Sequence, residues 1–236
     1  MSYSFDSRIR YSEIGEDGKM TLNGILNYFQ DCSIFHSEHV GRGLAHLKET
    51  KRVWVLLSWQ VEICRYPDLG EKVTISTWPY DFRGFIGYRN FIMKDAAGKK
   101  LAWANSIWVF LDMETGRPVR LPEDEVSAYP LDMKLDMEYA DRKIVMPDGG
   151  DIQEPVVIHR EYLDTNHHVN NGQYVKIAAG YLPEDFPVRR MRAEYKKQAL
   201  LGDVLIPRVV QEAGRAYVAL EFEDGRTGVI IEFETE

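Results

Sequence analysis

The sequence predicts an α+β fold in which one unit, an antiparallel sheet wrapped around a helix, is used twice along the chain. In each half, a stretch of helical apolar spacing is followed by a run of predicted strands. The two halves also share motifs in matching positions, as an internal duplication would produce. The order of elements lacks the alternating strands and helices of a nucleotide-binding parallel sheet.

The first half begins with a predicted strand over 4–11, followed by a helix over 22–39 whose apolar residues recur three and four positions apart. Four strands are predicted after this helix, over 54–65, 72–80, 86–94 and 99–111. Between the last two strands, Asp95 and Gly98 stand where a hairpin turn needs them, which predicts antiparallel neighbours.

The second half repeats this order with a strand over 156–162, a helix over 171–182, and strands over 189–199, 204–212, 216–223 and 227–233. The stretch 131–154 carries many charges and a Pro-Asp-Gly-Gly run, and it is long for a loop inside one domain. We therefore predict a first unit over 1–130, a linker over 131–154 and a second unit over 155–236.

The two halves can be aligned on each other in two parts. The strand alignment places Gly70 on Gly202, each just before the second strand that follows the helix. The turn alignment places Lys19 on His168, each just before the helix. The two parts have different offsets because the helix and loops of the first half are longer.

The turn alignment compares the polar residues before the two helices. It also places Gly15 on Asp164 and Asp17 on Asn166. Only the second half carries the histidine, so the sequence predicts a single histidine-based site there.

Asp164, Asn166 and His168 alternate just before the second helix. In an extended segment the three side chains would point the same way. The start of a helix supplies free N–H groups and the positive end of its dipole, which stabilise developing negative charge. This combination is suited to hydrolysis. The alternative is ordinary turn and capping chemistry, which we expect for Asn170 and Asn171.

Composition narrows the class of protein. The 236 residues are 44% hydrophobic with a net charge of −8, which indicates a folded core and argues against binding to nucleic acid or anionic membranes. No apolar run is long enough to span a membrane and the N-terminus lacks a signal-peptide pattern, so a cytoplasmic protein is expected. Cys32 and Cys64 are interpreted as buried free thiols, and His36 as a core histidine. No metal or other cofactor is predicted.

The order of elements, with Asp-x-Asn-x-His-Val-Asn-Asn over 164–171, resembles the acyl-acyl-carrier-protein thioesterases. These are tandem hotdog proteins that release free fatty acids from acyl carrier protein. The stretch Glu194-Tyr195-Lys196-Lys197 is similar to the family's Glu-Tyr-Arg-Arg segment. The resemblance covers nearly the whole chain and implies a double hotdog fold, with an acyl pocket in the first unit and the catalytic residues in the second. Without a plastid-targeting extension the chain looks like a bacterial member, and a homodimer is a possible assembly.

The resemblance also implies site residues. The family's Asp, Asn and His fall on Asp164, Asn166 and His168, whereas its functional Glu falls on Gln198. In plant members that Glu is followed by Cys, and Ala199 stands there. Gln198 can hydrogen-bond a water molecule but cannot take its proton. We expect His168 to be the general base for water and Asn166 to hold the water or donate to the thioester oxygen. Asp164 would orient His168 or act itself as base or nucleophile.

The predicted function is hydrolysis of acyl-acyl-carrier protein in fatty acid biosynthesis. The alternatives are an acyl-coenzyme A thioesterase, a hotdog dehydratase, or a non-catalytic acyl-binding module, which the loss of the Glu at Gln198 would fit. Because acyl carrier protein is acidic, docking would need a local basic patch, and the densest basic cluster is Arg189, Arg190, Arg192, Lys196 and Lys197. The alternative for this cluster is a solvated strand face.

Overall fold

The computed structural model describes residues 2–236 and separates the chain into two compact units. The first unit contains the described residues up to Leu57 together with Ile63–Tyr139. The second contains Ser58–Glu62 and Ala140–Glu236. Each unit contains a central helix and antiparallel strands, which confirms the predicted α+β class. The boundaries at 130 and 155 stay a prediction.

The elements of the first unit are β1 (Tyr3–Arg8), a 3-10 turn (Tyr11–Glu13), α1 (Leu22–His39), α2 (Leu44–Thr50), β2 (Arg52–Ile63), β3 (Lys72–Arg83), β4 (Ile86–Asp95), β5 (Lys100–Asp112) and α3 (Glu123–Ala128). The strands lie in the order β1-β3-β4-β5-β2. Helix α1 has the predicted bounds, whereas the short helices α2 and α3 were not predicted, since neither is long enough to show an apolar period.

Helix α1 begins at a cap and buries one face. The Thr21 hydroxyl accepts the N–H of Gly24 at 3.0 Å, which satisfies a helix-start donor. Further along, Phe29 lies 5.3 Å from Phe91 between ring centroids. The Sγ of Cys32 lies 3.7 Å from the carbonyl oxygen of Ile75. The sheet of the first unit therefore packs on the apolar stripe that the sequence predicts.

The buried end of this stripe is polar. The Nη1 of Arg89 lies 2.9 Å from the Nδ1 of His36 and 3.2 Å from the Thr77 hydroxyl, and all three residues are buried. Burial, together with the positive charge of Arg89, lowers the pKa of His36 to about 3. His36 is thus a core histidine, as predicted, and its neutral ring accepts from Arg89.

The two cysteines differ from each other. Neither forms a disulfide within residues 2–236; Cys32 is buried, and burial raises the pKa of its thiol to about 12. Cys64 is exposed, so the expectation that both thiols are buried is wrong for it. It follows the end of β2, where the strand leaves the core. Residues 2–236 contain no group of three or more His, Cys, Asp or Glu side chains that could hold a metal ion.

The elements of the second unit are β6 (Asp151–Ile152), β7 (Val156–Val157), a 3-10 turn (Arg160–Tyr162), α4 (Asn171–Ala179), β8 (Arg190–Tyr195), β9 (Val204–Glu212), β10 (Arg215–Phe222) and β11 (Thr227–Glu234). Its strands lie in the order Ser58–Glu62 of β2, then β8, β11, β10, β9 and β6, with β7 also pairing with β9. The predicted strand over 156–162 is wrong beyond Val157, and the helix ends three residues earlier than predicted, before Gly180.

Parts of the stretch predicted as a linker are held firmly within the unit to which they belong. In the first unit, Asn90 Oδ1 accepts the N–H of Leu135 and the hydroxyl of Tyr139, both at 3.0 Å. In the second unit, the buried Ile144 packs with Tyr217 and donates its N–H to Glu194 at 3.0 Å. No helix in the described chain is long and apolar enough to cross a membrane.

Candidate active site

Residues 163–169 form a tight turn before α4. The N–H of Asp164 donates to the carbonyl of His168 at 2.7 Å, and Leu163 forms a bridge with Val169. His167 has a φ of 63°, in the left-handed region, and its N–H donates to the carbonyl of Asp164 at 3.1 Å. The prediction of an extended segment that points alternate side chains the same way is therefore wrong.

The side chain of Asp164 explains the departure from extended backbone. Its Oδ1 accepts the N–H of Asn166 at 2.8 Å and the N–H of His168 at 3.2 Å. Such local bonds from Asp to the following backbone favour a turn over a strand. Turn chemistry therefore accounts for one oxygen of this carboxylate. No hydrogen bond from residues 2–236 reaches its other oxygen, Oδ2.

The start of α4 is capped by Asn170, as predicted. Its side-chain oxygen accepts the N–H of Gly172 at 2.9 Å, and its carbonyl accepts the N–H of Gln173 at 2.9 Å. Asn171 is the first helical residue rather than the cap. Its N–H has no acceptor within the described chain. One backbone donor at the positive end of the helix is thus free to bind an anion.

Gln198 lies beside this turn because the next residue, Ala199, is hydrogen-bonded to the end of the turn. The carbonyl of Ala199 accepts the N–H of Val169 at 3.0 Å, which joins the segment after β8 to the residue that follows His168. Gln198 and Asn166 are exposed, whereas Asp164 and His168 are half-buried. The backbone therefore gathers the four predicted site residues in one loop region of the second unit. Their catalytic roles stay predictions.

The first unit builds the same turn. Gly15 donates to the carbonyl of Lys19 at 2.8 Å, Gly18 donates to the carbonyl of Gly15 at 3.0 Å, and Gly18 has a φ of 75°. In the turn alignment these bonds match those of residues 164–168, which supports the internal duplication. Because Gly15 has no side chain, the turn does not depend on a carboxylate at this position.

Sequence reasoning missed two tyrosines at the site. The hydroxyl oxygen of Tyr174 accepts the N–H of Ala199 at 2.8 Å, and the hydroxyl of Tyr195 donates to the carbonyl of Asn171 at 3.0 Å. Burial raises the pKa of Tyr174 to about 12 and raises that of Tyr195 further. Tyr174 lies on the predicted helix stripe and Tyr195 in the Glu-Tyr-Lys-Lys stretch, but neither pattern reveals a hydroxyl contact.

Two arginines of the predicted basic docking patch form ion pairs inside the second unit. Arg190 Nε lies 3.1 Å from a carboxylate oxygen of Glu62. Arg192 contacts Glu232 at 2.5 Å and donates to the carbonyl of Asp141 at 2.6 Å. Both arginine side chains are mostly buried, so these two residues are neither a free docking patch nor a solvated strand face.

A surface groove of about 620 Å³ lies elsewhere in the second unit. It is bordered by Gly180–Leu182, which follow the C-terminal end of α4, and by Val209–Gln211 of β9. It contains none of the predicted site residues. The start of α4, rather than this groove, is therefore the candidate active site.

Two units of antiparallel strands that each pack on a helix, with a carboxylate, an amide and an imidazole in the turn before the second helix, define a tandem hotdog protein. Solved structures share the fold. An acyl-ACP thioesterase from Bacteroides thetaiotaomicron superposes with a TM-score of 0.90 at 22% identity, covering 99% of this chain and 97% of that one. The 12:0-ACP thioesterase from Umbellularia californica gives 0.87 at 22% identity, covering 99% and 96%.

Sequence comparison gives the family. The model of the acyl-ACP thioesterase N-terminal domain matches residues 1–129. The chloroplastic acyl-[acyl-carrier-protein] hydrolase FATB2 of Cuphea viscosissima is 26% identical over 255 residues, covering 97% of this chain and 60% of that protein. Oleoyl-acyl carrier protein thioesterase 1 of Arabidopsis thaliana is 26% identical over 227 residues, covering 87% and 62%. The chain belongs to the acyl-ACP thioesterase family and spans about 60% of the length of these two relatives.

Proposed function

We propose that this protein hydrolyses the thioester bond of acyl groups carried by acyl carrier protein and releases the free fatty acid. The family match over residues 1–129 carries the proposal. The two relatives are named as a hydrolase and a thioesterase of acyl-acyl-carrier protein. The loop region before α4 supplies the groups that such a reaction needs.

Hydrolysis requires a nucleophile, a proton acceptor and a donor for the oxyanion. We assign water as the nucleophile and His168 as the general base, because imidazole changes its charge near neutral pH. The free N–H of Asn171 and the amide of Asn166 are the oxyanion donors. Gln198 holds the water molecule by a hydrogen bond. Asp164 has a free Oδ2 with which to orient His168 or take a proton itself.

In this proposal, the first unit holds the acyl chain and the second performs the chemistry. The division follows from the duplication, since the first unit has Lys19 where the second has His168. The core of the first unit is rich in aromatic rings, with Trp54 lying 4.9 Å from Phe110 between centroids. Docking of the carrier does not use Arg190 and Arg192, because both are paired internally.

The test is steady-state hydrolysis of one acyl group presented on acyl carrier protein and on coenzyme A. We expect a higher kcat/KM on the carrier protein, and we expect His168→Ala to lower kcat by about 10²–10⁴. The matched control is His167→Gly, at an exposed position where the first unit has Gly18. This variant keeps the left-handed backbone and should keep wild-type turnover.

Each alternative has its own result. Equal or better turnover of the coenzyme A substrate would identify an acyl-coenzyme A thioesterase. Tight binding of acyl groups with no hydrolysis would indicate a binding module. Full activity in His168→Ala would place the chemistry outside the turn before α4.

A further inference from the structure

Ala199 connects three parts of the candidate site through its main chain. Its carbonyl accepts the N–H of Val169, at the end of the turn, at 3.0 Å. Its N–H donates to the hydroxyl oxygen of Tyr174, on α4, at 2.8 Å. Ala199 and Tyr174 are both buried. The two bonds fix the backbone next to Gln198 against both the turn and the helix.

The first unit has the same backbone contact without the hydroxyl. In the strand alignment Ala199 corresponds to Pro67, whose carbonyl accepts the N–H of Met20 at 2.8 Å. In the turn alignment, continued into the helix, Tyr174 corresponds to the fully buried Ile25. Proline has no N–H, and the isoleucine side chain has no acceptor. In the second unit the N–H of Ala199 has the tyrosine hydroxyl as its acceptor. In the first unit both the N–H and the hydroxyl are absent, so no donor is left unpaired there.

This comparison shows that the tyrosine hydroxyl is not needed to build the fold. The first unit forms the same turn and the same bond to the following segment with Pro67 and Ile25. Tyr195 repeats the pattern, because its hydroxyl binds the carbonyl of Asn171 at 3.0 Å and its counterpart in the first unit is the buried Ile63. Both hydroxyls occur in the unit that carries the histidine; that of Tyr174 contacts the segment after β8, and that of Tyr195 contacts the first residue of α4.

We propose that Tyr174 is a positioning residue for the hydrolase site, and that its hydroxyl holds Gln198 beside the turn of His168 by way of Ala199. This inference rests on the proposed function. A buried N–H is rarely left without an acceptor. If the hydroxyl is removed, the segment must move to find a new partner. Gln198 then leaves the place where it holds water, while the surfaces that bind substrate stay intact.

The first experiment is Tyr174→Phe, assayed on acyl-acyl-carrier protein under conditions where the variant is folded. We expect kcat to fall roughly 10- to 100-fold with little change in KM, because a small misplacement of a positioning group is costly. Amide hydrogen exchange at Ala199 should become faster. Tyr28→Phe is the matched control: Tyr28 is a buried tyrosine on α1 whose hydroxyl bonds Ser7 at 2.8 Å, and its loss should leave kcat unchanged.

A double-mutant cycle with Gln198→Ala separates positioning from general support of the fold. If Tyr174 acts by placing Gln198, Tyr174→Phe lowers kcat no further once Gln198 is alanine. Independent, multiplying effects on kcat would overturn the inference, and so would a Tyr174→Phe enzyme with wild-type kcat and only a lower melting temperature. If Tyr174→Phe does not fold, Tyr174→Ile combined with Ala199→Pro reproduces the pair of the first unit. That variant should fold because no N–H is left without an acceptor. It should retain the kcat defect because the bond that ties residue 199 to α4 is absent, and wild-type kcat in it would overturn the inference.

The wild-type assay separates the two claims. A wild-type protein that hydrolyses no acyl thioester refutes the proposed function and this inference together. An active wild type with no kinetic effect at Tyr174 refutes the inference alone.

Discussion

At the residue scale, the two carboxylate oxygens of Asp164 differ in their hydrogen bonds. Oδ1 accepts the N–H groups of Asn166 and His168, whereas Oδ2 has no partner within residues 2–236. The first unit forms the same backbone turn with Gly15 in this place. There the carboxylate of Asp17 accepts the N–H of Lys19. The turn therefore does not require a carboxylate at the position of Asp164, which favours a chemical role for this residue in the absence of the family's Glu at Gln198.

Replacing Asp164 with asparagine tests this division. Asparagine keeps the Oδ1 acceptor and so the turn, but it removes the charge and the ability to take a proton. We expect the melting temperature to stay near that of the wild type and kcat to fall by about 10²-fold or more. Asp17→Asn is the control, because Asp17 Oδ1 accepts the N–H of Lys19 at 3.0 Å in the matching turn. Wild-type turnover in Asp164→Asn would show that the residue only shapes the backbone.

Also at the residue scale, the sequence predicts residues whose roles are common in proteins and depend only on the neighbouring sequence. The cap at Asn170 and the core histidine His36 follow from position and spacing alone. The shape of the turn could not be predicted, because it depends on a left-handed φ at His167, a residue without the freedom of glycine. The contacts of Tyr174 and Tyr195 depend on which strand end meets the helix, and no local pattern contains that information.

At the scale of elements, β8 organises the second unit with buried charges. Arg192 lies between Glu232 of β11 and the carbonyl of Asp141, and Glu194 accepts the N–H of Ile144. The strand therefore holds the segment before β6 against the sheet. This structural use explains why a dense basic cluster in the sequence does not by itself indicate a docking surface.

Reversing the charge of Arg192 should consequently destabilise the second unit. We expect Arg192→Glu to lower the free energy of unfolding by about 3–5 kcal/mol, because it leaves Glu232 unpaired and adds a second buried negative charge. Urea unfolding measures the change. Lys176→Glu on the exposed face of α4 is the control and should alter stability by about 0.5 kcal/mol or less. A fully stable Arg192→Glu that loses only turnover on acyl carrier protein would restore the docking hypothesis.

How well a helix or strand could be predicted from the sequence depends on its length and on its surroundings. The bounds of α1 and β9 are as predicted because each carries a long, regular apolar period. The strand predicted over 156–162 failed after Val157, where the chain leaves β9 and turns through Arg160–Tyr162. The apolar residues after Val157 lie in a loop, and a short apolar run does not distinguish a strand from a buried loop.

At the scale of the whole molecule, the duplication provides a comparison within one chain. Equal backbone bonds at aligned positions of the two units identify what the fold requires, namely the turn and the contact with the following segment. The side chains that differ, among them Asp164, His168 and Tyr174, then stand out as additions to the second unit. The first unit also carries a buried group whose pKa lies far below its ordinary value.

That group is His36, and it makes the free energy of unfolding depend on pH. Its pKa is lowered to about 3 in the folded state by burial and by Arg89, against about 6.5 when unfolded. Below pH 6.5 the unfolded chain takes up a proton that the folded protein cannot. The stabilisation present above pH 6.5 is therefore lost as pH falls toward 3, by up to about 1.4 kcal/mol per pH unit. Urea unfolding from pH 7 to pH 4 should show this slope in the wild type and in His39→Gln, whose histidine is exposed. His36→Gln keeps an acceptor for Arg89 and should flatten the slope; an unchanged slope would assign the acid sensitivity to other groups.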